Sequence, residues 1–122
     1  MIEAVSNMNI WALKKNTLIK HLLLMLDEVF RPGAYDIIDR PDEDLRAIRL
    51  GHAAVTDTEL YIFTYGQADG RYGIHIEYPD NPDTDLHDIM EIRENTSFPE
   101  LVSLIIIKLE IPPELIIDKT YG

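Results

Sequence analysis

The sequence predicts an α+β fold, a two-layer sandwich. In it a mostly antiparallel, four- or five-stranded meander is flanked in sequence by an N-terminal and a C-terminal helix. Three observations carry this expectation. An apolar stripe of helical period early in the chain stops at Pro32-Gly33. Two β-rich runs in the middle flank a glycine-bearing loop. A capping box near the end introduces a second apolar run. With 122 residues and no cysteine, the chain is expected to form a single domain, residues 1–122, whose core needs no disulfide.

The first helix rests on Leu18, Leu22, Leu26 and Phe30, with Ile19, Leu23 and Val29 widening the stripe. Asn16 suits the N-cap, with an earlier start near Asn9 as the alternative, and Arg31 suits the negative end of the helix dipole. The unbroken apolar block 22–26 is wider than a one-sided surface helix needs, so either the helix is covered on two sides or it meets another chain. Residues 34–39 read as a short edge strand, and 39–44 as a turn carrying Asp42, Glu43 and Asp44. Residues 45–55 read as a strand, interrupted near Gly51. The runs 59–65 and 71–78, joined by the loop 66–70, read as a hairpin. An acidic loop spans 79–85, and 87–94 reads as the last strand.

Ser97 and Glu100 form the capping box, with Pro99 in the first turn where its missing N–H costs little. Leu101, Leu104, Ile105 and Leu109 then share a helical face, and Leu22 and Leu104 are expected to be buried against the sheet. A strand is the rival reading there, because Ile105, Ile106 and Ile107 are β-branched. Pro112-Pro113 ends the element, and a short final turn is expected over 113–117.

Charge is unevenly placed. Residues 35–95 hold fifteen of the 22 acidic residues but five of the 11 basic ones, a net of −10 within a chain total of −11. This balance disfavours direct binding to nucleic acid or to an anionic membrane and favours a basic protein partner. The first residues lack the pattern of a signal peptide, no apolar run approaches a membrane span, and cysteine is absent, so a cytoplasmic location is expected.

Alternation in the hairpin separates two faces. Leu60, Ile62, Ile74 and Ile76 suit the face under the helices, which leaves Tyr61, Phe63, Tyr65, His75 and Glu77 on the other. An exposed aromatic row rimmed by carboxylates has the character of an interface, with Asp80, Asp83 and Asp85 of the acidic loop as its rim. Trp11 is expected to pack where the N-terminal segment meets the core, or to anchor an interface.

Catalytic chemistry finds no support. His75 and Glu77 share a face but have no evident third metal ligand. Asp80, Asp83, Asp85 and Asp88 lack the glycine and final glutamate of a calcium loop. Ser6, Ser97 and Ser103 lack a nucleophile elbow, and residues 66–73 have the wrong spacing for a phosphate loop. No catalytic residue, metal or cofactor is therefore expected.

Two stretches, 60–66 continuing through 72–78 (LYIFTYG and YGIHIEY) and 87–93 followed by 96–101 (HDIMEIR and TSFPEL), together with the size and element order, carry a resemblance. The chain resembles the small acidic immunity proteins of bacterial toxin–immunity systems, including contact-dependent growth inhibition. That resemblance implies a cognate inhibitor without catalytic activity, which covers the active site or substrate surface of a toxin, in many cases a nuclease. A monomer or weak homodimer is expected. The competing expectation is a small accessory or assembly subunit that forms an obligate oligomer through block 22–26. A ligand carrier or enzyme with a pocket between sheet and helices is the third.

Overall fold

The computed structural model describes residues 10–40, 42–79 and 87–121. Its centre is a five-stranded antiparallel sheet whose spatial order follows the chain: β1 (Asp36–Ile38), β2 (Ala47–His52), β3 (Thr56–Phe63), β4 (Tyr72–Pro79) and β5 (His87–Thr96). Two helices, α1 (Thr17–Val29) and α2 (Phe98–Lys108), form the second layer. The fold is α+β, and no helix among the described residues is long and apolar enough to cross a membrane.

The register explains where the core lies. Ile48, Ile62 and Ile74 stand opposite one another on β2, β3 and β4, and so do Leu50, Leu60 and Ile76. None of the six is more than 1% exposed, and all join Ile19, Leu22, Leu23 and Leu26 of α1 and Leu101, Val102 and Ile105 of α2 in one apolar cluster. Burial of this face supplies the main driving force for folding.

Local signals set the helix ends. The Asn16 side chain accepts the Leu18 N–H at 2.9 Å, and Gly33 takes the left-handed turn, φ 89°, that leads the chain away from α1. At α2 the Ser97 hydroxyl accepts the Glu100 N–H while the Glu100 carboxylate accepts the Ser97 N–H, each at 3.3 Å. With that start fixed and a buried arc available, the run of three isoleucines is helical, not extended.

Several boundaries differ from the sequence expectation. The interruption expected near Gly51 is present as a shift in pairing at Gly51/His52, but the strand ends at His52: a tight turn with the Val55 N–H on the His52 carbonyl at 2.8 Å follows, and β3 begins at Thr56. Thr64 and Tyr65 lie beyond β3. In α2 the core arc is Leu101, Val102 and Ile105, continued by Leu109; Leu104 is only half-buried because it falls on the flank of the helix beside β5. Of the block 22–26, Leu22, Leu23 and Leu26 are fully buried in the core, Leu24 is half-buried and Met25 faces outward. Leu18 is exposed with Met25 on the outer side of α1, and Trp11, 53% exposed in the short 3-10 turn Ile10–Ala12, stands edge-on to His21.

The C-terminal segment is tied back to the end of α1. The Ile117 N–H donates to the Val29 carbonyl at 2.6 Å, the Arg31 N–H to the Leu115 carbonyl at 2.8 Å, and Phe30 bridges Ile116. The 3-10 turn Pro113–Leu115 shapes this return.

Candidate functional site

The candidate site is the sheet face that the helices leave uncovered. Cross-strand register puts Ile38, Arg49, Tyr61, His75 and Ile92 in one row across all five strands. The adjacent rows hold Ala47, Phe63 and Gly73 on one side and Gly51, Glu59 and Glu77 on the other. The expected face thus carries Tyr61, Phe63, His75 and Glu77 together, and Tyr65, just past β3, stacks on Phe63 with ring centroids 4.6 Å apart. Asp80, Asp83 and Asp85 lie outside the described residues.

The rings do not form the exposed row that alternation suggested. Phe63 is 4% exposed, sealed by its own neighbours: Tyr65 stacks on it, His75 meets it edge-on at 5.0 Å, and Tyr61 lies 5.7 Å away. Beneath it Gly73, directly opposite on β4, supplies the space; a methyl group at that position would overlap the Phe63 ring. Tyr61, Tyr65 and His75 remain half-exposed, and the two tyrosine hydroxyls are 3.1 Å apart. Burial, followed by the contact with Tyr65, pushes the Tyr61 phenol above its ordinary range, so it stays protonated.

Sequence reading missed the cation that organises the acidic side. Arg49 is 7% exposed and is shared among three carboxylates: Glu77 at 2.6 Å, Glu43 at 2.7 Å and Glu59 at 3.3 Å. Its guanidinium lies 5.3 Å from the Tyr61 ring centre, a cation–π distance. Burial by itself would lower its pKa, but the hydrogen bonds and charges of Glu43 and Glu77 outweigh this and raise it. Glu77, expected at the centre of the open face, is therefore held by Arg49 inside the cluster. Arg40 reaches Glu59 from solvent at 3.3 Å.

The acidic turn before β2 supplies the second half of this arrangement. Asp44 receives the Arg46 backbone N–H at 2.8 Å and its guanidinium at 2.9 and 3.0 Å, while Arg46 covers the Tyr65 ring at 5.0 Å. The side-chain and backbone hydrogen bonds from Arg46 hold the Asp44 carboxyl down to about 2. The turn thus places Glu43 and Asp44 on two arginines, and the arginines cover two tyrosines. Alternation in β2 was the available signal, because Arg49 sits between the inward Ile48 and Leu50.

Among the described residues no group of three or more His, Asp or Glu side chains is arranged to hold a metal. The face offers aromatic surface, fixed carboxylates and the exposed Ile92, a combination suited to contact with another molecule. No protein-family model, curated protein or solved structure matches this chain.

Proposed function

We propose that this chain is a non-catalytic acidic binding protein of the immunity type, which neutralises a basic toxin domain by direct contact through the open face of its sheet. The observation that supports this most is the union of a sheet face that the two helices leave uncovered with the acidic section of the chain: half-buried Tyr61, Tyr65 and His75 lie beside a carboxylate cluster within residues that carry a net charge of −10. In such an interface the acids attract a basic partner from a distance, and the desolvated rings supply most of the holding energy. A nuclease toxin fits this reading, because its cleft must be basic to hold a polyanion. The reading implies a cytoplasmic site of action.

The test is association kinetics with the product of a neighbouring reading frame, which this reading expects to be a basic toxin domain. The on-rate should fall about tenfold or more from low to physiological salt. Charge reversal at Asp83 and Asp85 should slow association, and Tyr61→Ala should speed dissociation. Equal on-rates at both salt concentrations, or a complex that touches only the helices, would overturn the proposal.

The accessory-subunit reading keeps one observation in its favour. Trp11, Leu18 and Met25 are 53%, 58% and 39% exposed along the outer side of the α1 region. A complex held by these residues would favour it over the sheet-face reading.

A further inference from the structure

The two edges of the sheet are unequal. β1 spans three residues, whereas β5 spans ten, and among the described residues nothing pairs with its outer side. A long free edge is a template for another strand, and proteins usually blunt such edges with charge or with bulges. β5 has both features, but they are arranged in an unusual way. The pairing with β4 is irregular at Tyr72/Ile74 and again at Ile76/Glu77, and between these points runs a regular stretch: Arg93 opposite Ile74, Ile92 opposite His75, Glu91 opposite Ile76. The centre of that stretch is Ile92, which is 57% exposed. On either side of it stand charges of opposite sign, Glu91 and Arg93, 2.9 Å apart on the helix side of the sheet.

We infer that β5 is the seam of a two-fold homodimer, in which two copies pair antiparallel about Ile92 and join their sheets into one. The alternating charge selects this occupant and this register. With Ile92 on the two-fold axis, Glu91 of each copy stands directly opposite Arg93 of the other, so two opposite-charge pairs form at once, and the two Ile92 side chains meet on the open face. A shift by one residue would place like charges or an unpaired isoleucine at these positions. Glu91 is positioned for the role, since Lys108 of α2 already holds it at 2.8 Å. On the helix side the groove between β5 and α2, lined by Arg93, Thr96, Glu100, Ser103 and Leu104, leaves room for the second copy's flank. The row Ile38–Arg49–Tyr61–His75–Ile92 then runs unbroken through the seam into its symmetry mate. Because the regular stretch is short, the dimer is a weak one. This inference does not depend on what the open face binds.

The experiment is sedimentation equilibrium of the full chain over a concentration series, with Ile92→Lys and Ile92→Glu studied alone and mixed. The wild type should rise from the chain mass of 14.0 kDa towards twice that value. Either variant alone places two like charges on the axis and should dimerise roughly tenfold more weakly or worse, whereas the mixture pairs Lys with Glu and should recover a heterodimer. Both variants should keep the wild-type circular dichroism spectrum, since Ile92 is exposed. Amide exchange in β5 should slow as concentration rises. A wild type that stays at the chain mass, variants that dimerise as it does, or a mixture that gains nothing would each overturn the inference.

Discussion

Replacing Arg49 with methionine isolates the cluster that organises the open face. The substitution keeps an unbranched apolar stem against Tyr61 and removes the positive charge shared by Glu43, Glu59 and Glu77, leaving Arg40 at the outer side of Glu59. Removing one partner of a buried ion pair costs about 3–5 kcal/mol, whereas exposed pairs are worth about 0–1. Here the Arg49 side chain is 9% exposed and the three acids 13%, 17% and 12%, so the cluster lies near the buried limit with some access to water. The expected loss is about 2–4 kcal/mol, read as a shift in the urea midpoint at unchanged slope, or roughly 10 °C in Tm for a domain of this size. Adding Glu77→Gln to the variant should return part of the loss by removing one uncompensated charge. Arg40→Ala, at the exposed rim, is the control and should cost less than about 1 kcal/mol. A loss below about 1 kcal/mol for Arg49→Met would show that the cluster behaves as an ordinary surface pair and that the reasoning from burial is wrong.

Three further outcomes are expected. Leu22→Ala should cost about 2–5 kcal/mol in chemical denaturation, while Leu104→Ala, at a half-buried position, should cost about 1 kcal/mol; equal losses would mean that the α2 face is misassigned. Gly73→Ala should cost about 1–3 kcal/mol by forcing the Phe63 ring aside, and Phe63→Leu in the same chain should make the combined loss smaller than the sum of the two, which a double-mutant cycle reads directly. The Glu91 carboxyl is held down to about 2 from its ordinary 4.5, first by the hydrogen bond from Lys108 and then by those from Arg93 and Tyr78. A depressed folded-state value stabilises the protein above pH 4.5 and is lost as pH falls through about 2, so Lys108→Met should flatten the acid limb of a stability-versus-pH curve in that window.

The helices and the hairpin were legible in the sequence because each is dictated by neighbours in the chain. Asn16, Gly33, Ser97 and Glu100 act within a turn of where they stand, and the alternation of Leu60, Ile62, Ile74 and Ile76 reports the face directly. The break between β2 and β3 was harder to place, because no proline occurs in 51–58 and the turn 52–55 is built from His, Ala and Val, which carry no turn signal. The choice of Val102 over Leu104 as a core residue depends on which side of α2 faces the sheet, and spacing alone fits either. On the candidate site, the shared face of Tyr61, Phe63, His75 and Glu77 could be read from alternation. The burial of Phe63 and the capture of Glu77 by Arg49 could not. Both follow from groups on neighbouring strands, Gly73 and Arg49, that are brought alongside only by pairing.

The tie between the C-terminal segment and the end of α1 has a kinetic meaning. Every strand pairs with its nearest neighbour in sequence, so the sheet can grow by successive short loop closures, each with a small entropic barrier. The contact of Arg31 with Glu114, 83 residues apart, instead demands that both ends of this segment be brought together at once. It is expected to form after the sheet and to open before it. Val29, Phe30, Ile116 and the groups around them would then exchange their amide protons through a partial opening that leaves β2, β3 and β4 paired. Resistance to proteolysis at 111–118 would report the state of that junction, separately from the stability of the sheet.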